Sequence, residues 1–397
     1  MGSSVLSTLL LLLFGVLLAR LTASRLARWA VPAIVLELVV GVVLGNTVLP
    51  YSRIAPLAGL TELGVLSLFF QVGLEVRGGL LGSRPAAVLR TVLLSALAPL
   101  LLWWPLQQTF ALSTATTLLW LAVLSATGTG VTLRALAQAD SLHTPSARLL
   151  VGVSVLDDLP AIALLTISML LGATTTTPGG VPMGAGPLLG VVLVTASLPL
   201  SRLWLRRHGP WRPDLLGVLI LLIGCSWLGE LCGLTSLLGA LWGGVLLGRL
   251  APLPEQSAAA RDLRSQLALL SEVFLPLYFL SVGMRVQAAS LLRPDAWGMA
   301  LLLLLLAVAC KLLCGLGISA ADRAAGVDRW VVVFGLIPRG LPGLVFASTA
   351  LAGGLITATQ YSALVLMVSA TTVLGLLLLG RRLRDQSRQG SAAAIAP

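Results

Sequence analysis

Asp157 and Asp158 stand side by side in Val151-Gly-Val-Ser-Val-Leu-Asp-Asp-Leu-Pro-Ala-Ile-Ala-Leu-Leu165, inside an otherwise uncharged run from about Leu149 to Gly172. A run of roughly 20 apolar residues is what an α-helix needs to cross a bilayer, so the pair falls near the midplane. An ionisable residue there costs about 2.5–3.5 kcal/mol on insertion scales. Two adjacent carboxylates also repel, so one of them holds a proton unless a cation is close by. Proton loss and cation uptake are then coupled, which is the chemistry of a transport site.

Two cations share this apolar setting. The chain has 26 basic residues, and most of them sit in loops on one side of the predicted spans. The loops predicted to face the cytoplasm carry 21, against three (Arg53, Arg285, Arg293) on the other side, a bias that follows the positive-inside rule. The remaining two are Lys311, the only lysine, and Arg339, both inside spans. An intramembrane cation needs an anionic or carbonyl partner. The net charge of +11 would suggest nucleic acid in a soluble protein. Loop asymmetry explains it better here, and no nucleic-acid partner is expected.

The elements that must position these groups are apolar helices. Of 397 residues 57% are hydrophobic and 10% charged, with a mean hydropathy of +0.99, which places the chain among polytopic membrane proteins. Hydropathy and loop punctuation predict about thirteen spans: 4–20, 30–48, 57–76, 86–106, 113–134, 146–172, 184–204, 213–232, 234–249, 265–286, 296–320, 329–353 and 360–380. No basic residue precedes the first apolar run, so a first span with its N-terminus outside is expected rather than a cleaved signal. The C-terminus is then cytoplasmic.

Two spans are interrupted. The fifth holds Ser125-Ala-Thr-Gly-Thr-Gly130 and the twelfth Ile337-Pro-Arg-Gly-Leu-Pro-Gly343. Glycine and proline inside helical spans free backbone groups and signal unwound segments. With the seventh span as connector, the breaks take the fifth place in each of two six-span halves of opposite orientation. Interrupted segments at matching places in inverted halves point to a midplane binding site; two unrelated kinks are the alternative. Thr174-Thr-Thr-Thr-Pro-Gly-Gly180 reads as an external linker, residues 386–397 as a disordered tail, and no soluble regulatory domain is expected. Cys225, Cys232, Cys310 and Cys314 read as small buried hydrophobes, and His143 and His208 as surface residues in basic loops.

Several ordered motifs resemble the monovalent cation/proton antiporter-2 family, meaning Kef-like and NapA-like sodium/proton antiporters. They are Val31-Pro-Ala-Ile-Val-Leu-Glu-Leu-Val-Val-Gly-Val-Val-Leu-Gly45, Leu68-Phe-Phe-Gln-Val-Gly-Leu-Glu75, Leu234-Thr-Ser-Leu-Leu-Gly-Ala-Leu-Trp-Gly-Gly-Val-Leu-Leu-Gly248 and Phe274-Leu-Pro-Leu-Tyr-Phe-Leu-Ser-Val-Gly-Met284. The double aspartate resembles that of the family's electrogenic branch. The resemblance implies that Asp158 is the cation-binding carboxylate and that Asp157 pairs with Lys311 on the eleventh helix, with Na⁺ held at both aspartates. A structural ion pair is the alternative for Asp157 and Lys311. Thr127 and Thr129 offer oxygens at the first break, or bond their own helix backbone. Family members often carry an acidic residue after Pro-Arg-Gly, where this chain has Leu341. Arg339 therefore needs another partner: Glu75, Glu272 or carbonyls at the break. Glu37, Glu75, Glu230 and Glu272 read as helix-end or interfacial groups.

The expectation is an all-α secondary transporter with two crossed discontinuous helices, exchanging Na⁺ (or Li⁺ or K⁺) for protons by alternating access, electrogenically and without a cofactor. Residues 86–172 and 296–380 would form an ion-translocating core, and 1–76 and 184–286 a scaffold that joins a homodimer in the plasma (inner) membrane. The alternatives are an electroneutral K⁺/H⁺ antiporter and a Na⁺-coupled symporter of organic anions. An enzyme would need a nucleophile, metal ligands or a cofactor motif, and none is evident.

Overall fold

A computed structural model describes residues 2–395 apart from 27–31, 76–83, 129–130, 133–134, 137–138, 140, 142–143, 173–184, 210, 212–213, 233–234 and 252–257. Every regular element among the described residues is a helix. In a bilayer this follows from the backbone, whose N–H and C=O groups find no water and must bond within the segment. The main helices are α1 (Gly2–Leu26), α2 (Ala33–Thr47), α3 (Ala58–Glu75), α4 (Pro85–Leu100), α5 (Thr114–Ser125), α6 (Pro145–Gly172) and α7 (Ala185–His208). They continue as α8 (Leu215–Leu231), α9 (Ser236–Leu250), α10 (Ala258–Met284), α11 (Pro294–Cys314), α12 (Arg329–Leu336), α13 (Gly340–Ala352) and α14 (Ala358–Ile395). The starts are written in the sequence. The side chains of Ser113, Asp214, Thr235 and Asp328 accept from first-turn N–H groups of α5, α8, α9 and α12. Pro85 and Pro294 occupy first-turn positions of α4 and α11, where no N–H is needed.

Among the described residues seven helical stretches are long and apolar enough to cross a membrane: Leu6–Ala23, Tyr51–Leu74, Pro85–Phe110, Ser265–Met284, Pro294–Gly317, Arg329–Ala352 and Ala358–Gln386. α2, α5, α8 and α9 are apolar but shorter. α6, at 28 residues, reaches about 42 Å.

The helices pack as two sets. In the first, α1 lies on α2, α2 and α3 lie on α10, α3 on α9, and α9 on α7 and α8. In the second, α4 and α5 lie on α6, α11 on α4 and α14, α12 on α6 and α14, and α13 on α5 and α14. Glycines set the closest crossings of the first set. A Cβ on Gly41 (α2) would stand 2.2 Å from the Leu280 carbonyl of α10, and one on Gly283 (α10) 2.2 Å from the Leu38 carbonyl of α2. Between α3 and α9 the same reciprocity holds for Gly73 and Gly244, where a Cβ on either would stand 2.0 Å from a carbonyl of the other helix. Small residues at such crossings let backbones approach closely where the surrounding lipid supplies no hydrophobic drive. An apolar cleft of about 630 Å³ lies between α2 of the first set and α11 and α14 of the second.

The last helix runs past the end of the predicted thirteenth span. α14 continues to Ile395, and the Gln386 amide donates to Asp328 Oδ2 at 2.6 Å. Residues 386–395 hold three Ala, two Gln and one Arg, good helix formers that extend a span already nucleated in the membrane. Glu37 is buried, at 4% exposure, in the second turn of α2.

Candidate functional site

The two breaks meet. α5 ends at Ser125, Ala126 turns to an extended conformation (ψ 146°), and helical backbone resumes at Val131. α12 ends at Leu336, and α13 starts at Gly340 after Ile337-Pro338-Arg339. The Gly128 N–H donates to the Pro338 carbonyl at 2.6 Å. Gly340 takes φ +46°, a left-handed conformation open to glycine at little cost, and its N–H donates to Thr372 Oγ1 of α14 at 3.0 Å. A Cβ on Gly128 would stand 2.9 Å from Gly340 N and 3.0 Å from the Arg339 carbonyl carbon. Two glycines thus let one unwound segment cross the other in backbone contact.

Arg339 closes this crossing. It is fully buried, and one guanidinium nitrogen, Nη1, serves three carbonyls at the end of α5: Val123 (3.2 Å), Leu124 and Ala126 (3.0 Å). Nη2 donates to Ala307 O of α11 at 3.0 Å. The last carbonyls of a helix are free acceptors at the negative end of its dipole, so a cation stabilises them. Of the partners open to Arg339 in the sequence, the carbonyls are the ones it takes.

α6 runs beside the crossing and carries Asp157 (0% exposed) and Asp158 (3%). Pro160, two residues on, lacks the N–H that would bond the Leu156 carbonyl and so leaves an acceptor free beside the pair. Lys311, 1% exposed on α11, forms an ion pair with Asp157 Oδ2 at 2.8 Å. The same ammonium donates to Ser95 Oγ of α4 (2.6 Å), Ser125 O (2.8 Å) and Thr127 Oγ1 (2.9 Å). Thr127 in turn donates its hydroxyl to Asp157 Oδ2 at 2.5 Å. Asp158 is treated differently. No ion pair reaches it among the described residues, its Oδ1 is buried without a hydrogen-bond partner, and so is Oδ1 of Asp157. Two carboxylates of one sequence pair therefore have separate surroundings: each keeps one unpartnered oxygen, but Asp157 is neutralised by lysine and Asp158 has no ion pair among the described residues.

The structure brings together Asp157, Asp158, Lys311 and Thr127, with Arg339 one layer behind at the break. Thr129 lies outside the described residues. Sequence reasoning missed Ser95, a lone hydroxyl residue in an apolar run; such residues ordinarily bond the carbonyl one turn back, so nothing in the sequence marks it. Ser125, at the start of the first break, enters the site through its backbone carbonyl, while its hydroxyl is buried without a partner. Among the described residues no group of three or more His, Cys, Asp or Glu side chains clusters. The site instead offers carboxylate, hydroxyl and carbonyl oxygens, donors suited to a hard cation.

A family model for the transmembrane sodium/hydrogen exchanger matches residues 9–380. The chain belongs to that family. The exchanger is 25% identical over 379 residues to a Na(+)/H(+) antiporter of Enterococcus hirae, covering 92% of this chain and 95% of that one. It is 23% identical over 364 residues to a Na(+)/H(+)-K(+) antiporter of Bacillus cereus, with 89% and 91% covered. Its fold is similar to that of the sodium proton antiporter MjNhaP1 from Methanocaldococcus jannaschii, at a TM-score of 0.65 and 17% identity over 95% of this chain and 97% of that one. A multi-pass helical membrane protein of the monovalent cation/proton antiporter kind follows.

Proposed function

We propose that this exchanger moves Na⁺ against protons through Asp158, and that it does so electrogenically. The observation that carries the reading is the unequal pair: Asp157 is held by Lys311, while Asp158 is buried with no ion pair among the described residues, at the crossing of two broken helices. A buried carboxylate without a counter-charge stays neutral by binding H⁺ or a cation, so each displaces the other. A cation that also draws Asp157 leaves Lys311 without its anion, and the lysine then gives up its proton. With the proton from Asp158, two protons exchange for one Na⁺.

Alternating access needs one body to move against another. The helix set around α6 and α11 is proposed as the moving core (86–172 and 296–380), and the set around α3 and α10 as the scaffold (1–76 and 184–286). The pairing of α2 with α10 and of α9 with α3, each through a glycine pair, supports two inverted six-span halves joined by α7, because exchanging the halves maps one crossing onto the other. The thirteen-span count, an external N-terminus, a scaffold-mediated homodimer and a plasma-membrane location complete the proposal. Loop charge asymmetry supports the orientation.

The test is an exchange assay in proteoliposomes across Na⁺, Li⁺ and K⁺, with Asp158→Asn alongside. Na⁺-driven proton movement that Asp158→Asn abolishes is expected. Exchange undiminished by that change refutes the assignment, and exchange with K⁺ alone, insensitive to voltage, favours an electroneutral K⁺/H⁺ cycle.

A further inference from the structure

The Lys311 ammonium has more acceptors than hydrogens. It carries three N–H donors, and four oxygens lie within range: Ser95 Oγ at 2.6 Å, Ser125 O and Asp157 Oδ2 at 2.8 Å, and Thr127 Oγ1 at 2.9 Å. Asp157 belongs to α6, and Ser125 and Thr127 to the first break, so three of the four come from the segments that form the ion site. Ser95 alone comes from α4. Thr91, one turn before Ser95 on α4, donates to its own helix at Ala87 O, as Ser226 does to Leu222 O on α8 and Ser362 to Ala358 O on α14. Ser95 is turned to the lysine instead and makes the shortest of its four contacts.

We propose that Ser95 is a positioning residue that keeps the Lys311 side chain fully hydrogen-bonded once Asp157 and a proton have left it. The inference rests on the reading above, in which an arriving cation draws Asp157 away and Lys311 gives up a proton. The neutral amine then has two N–H groups, accepted by Ser125 O and Thr127 Oγ1, and one lone pair, to which the Ser95 hydroxyl donates. Remove Ser95 as well and that buried lone pair is left without a donor. With Asp157 in place, three acceptors still suffice without Ser95. The penalty therefore falls on the cation-bound state alone and shows as weaker cation affinity.

The experiment compares the full-length exchanger with Ser95→Ala and Ser95→Cys in proteoliposomes, reading the apparent KM for Na⁺ and Vmax at one fixed pH. Cysteine nearly keeps the serine volume and is a weak donor and acceptor, so it reports on the contact should alanine disturb folding. In both variants KM is expected to rise roughly 5- to 150-fold, the penalty for one unsatisfied buried polar group, with Vmax near wild type. Thr91→Ala, one turn away and bonded only to its own helix, keeps the wild-type KM. A wild-type KM in the Ser95 variants overturns the inference, as does a loss of Vmax at unchanged KM or an equal rise in Thr91→Ala. Asp158→Asn in the same vesicles separates the two levels. If it exchanges normally, the underlying reading fails; if it is inactive while the Ser95 variants bind Na⁺ normally, only the Ser95 inference fails.

Discussion

Lys311→Gln removes one charge from the site and little volume. In the structure the lysine makes one ion pair and three further hydrogen bonds, all buried. Stripping one partner from a buried ion pair costs about 3–5 kcal/mol. The glutamine amide restores about 1 kcal/mol of hydrogen bonding to Ser95, Ser125 O or Asp157. A net loss of about 2–4 kcal/mol is expected, part of which Asp157 relieves by keeping a proton. The functional consequence is larger in kind. With two protons exchanged per Na⁺, one charge crosses per cycle, worth about 2.3 kcal/mol at 100 mV. That corresponds to about a 50-fold change in the Na⁺ gradient at equilibrium. The variant, lacking the lysine proton, exchanges one for one and feels no voltage. Proteoliposomes clamped at 0 and 100 mV, with Na⁺ and pH followed together, read both quantities. If Lys311→Gln still responds to voltage as wild type does, Lys311 does not carry the second proton and the electrogenic mechanism is wrong.

Three further outcomes follow from the packing. Gly128→Ala places a methyl about 3 Å from backbone on the opposing break, so exchange should be lost at a cost of about 1–3 kcal/mol, while Gly224→Ala, with nothing nearby, should exchange as wild type. Arg339→Lys cannot reach both the α5 carbonyls and Ala307 O, and thermal unfolding in detergent should report a loss of about 1–3 kcal/mol; wild-type stability would show that the guanidinium fork is dispensable. Asp322, in the connection between α11 and α12, binds Arg84, Arg90 and Ser319. Burial acts to raise its carboxyl, but the Ser319 and arginine bonds outweigh it and hold the group below the usual carboxylate range. Its contribution is then complete above about pH 4 and is lost as pH falls through the lowered value. Asp322→Asn should lose roughly 1–3 kcal/mol at neutral pH and flatten the acid limb of the stability curve. An unchanged acid limb would exclude this linkage.

The aspartate pair, the lone lysine and both breaks were legible because the membrane makes them expensive. Charges and Gly/Pro interruptions inside apolar spans persist only where something compensates them. What compensates them was only partly legible. For Arg339 the sequence left Glu75, Glu272 and carbonyls at the break open, and the carbonyls it takes lie more than 200 positions earlier in the chain, with no mark in the sequence to favour them. Thr127 read either as an oxygen near the cation or as a partner of its own helix backbone, and its hydroxyl bonds Asp157 and Lys311. Ser95 carries the most ordinary of polar side chains, and only the rotamer it adopts against α11 distinguishes it from Thr91 one turn below. The glycine crossings were present as motifs, but their reciprocity between α2 and α10 and between α3 and α9 appears only once the helices are paired.

The most direct test of the whole account is to count protons released when Na⁺ is added to the purified protein, by titration calorimetry in buffers of different protonation enthalpy. The wild-type protein should release protons as Na⁺ binds, and Asp158→Asn should neither release them nor bind the ion. Equal proton release from Asp158→Asn would contradict the claim that one buried carboxylate holds either a proton or a cation, but never both.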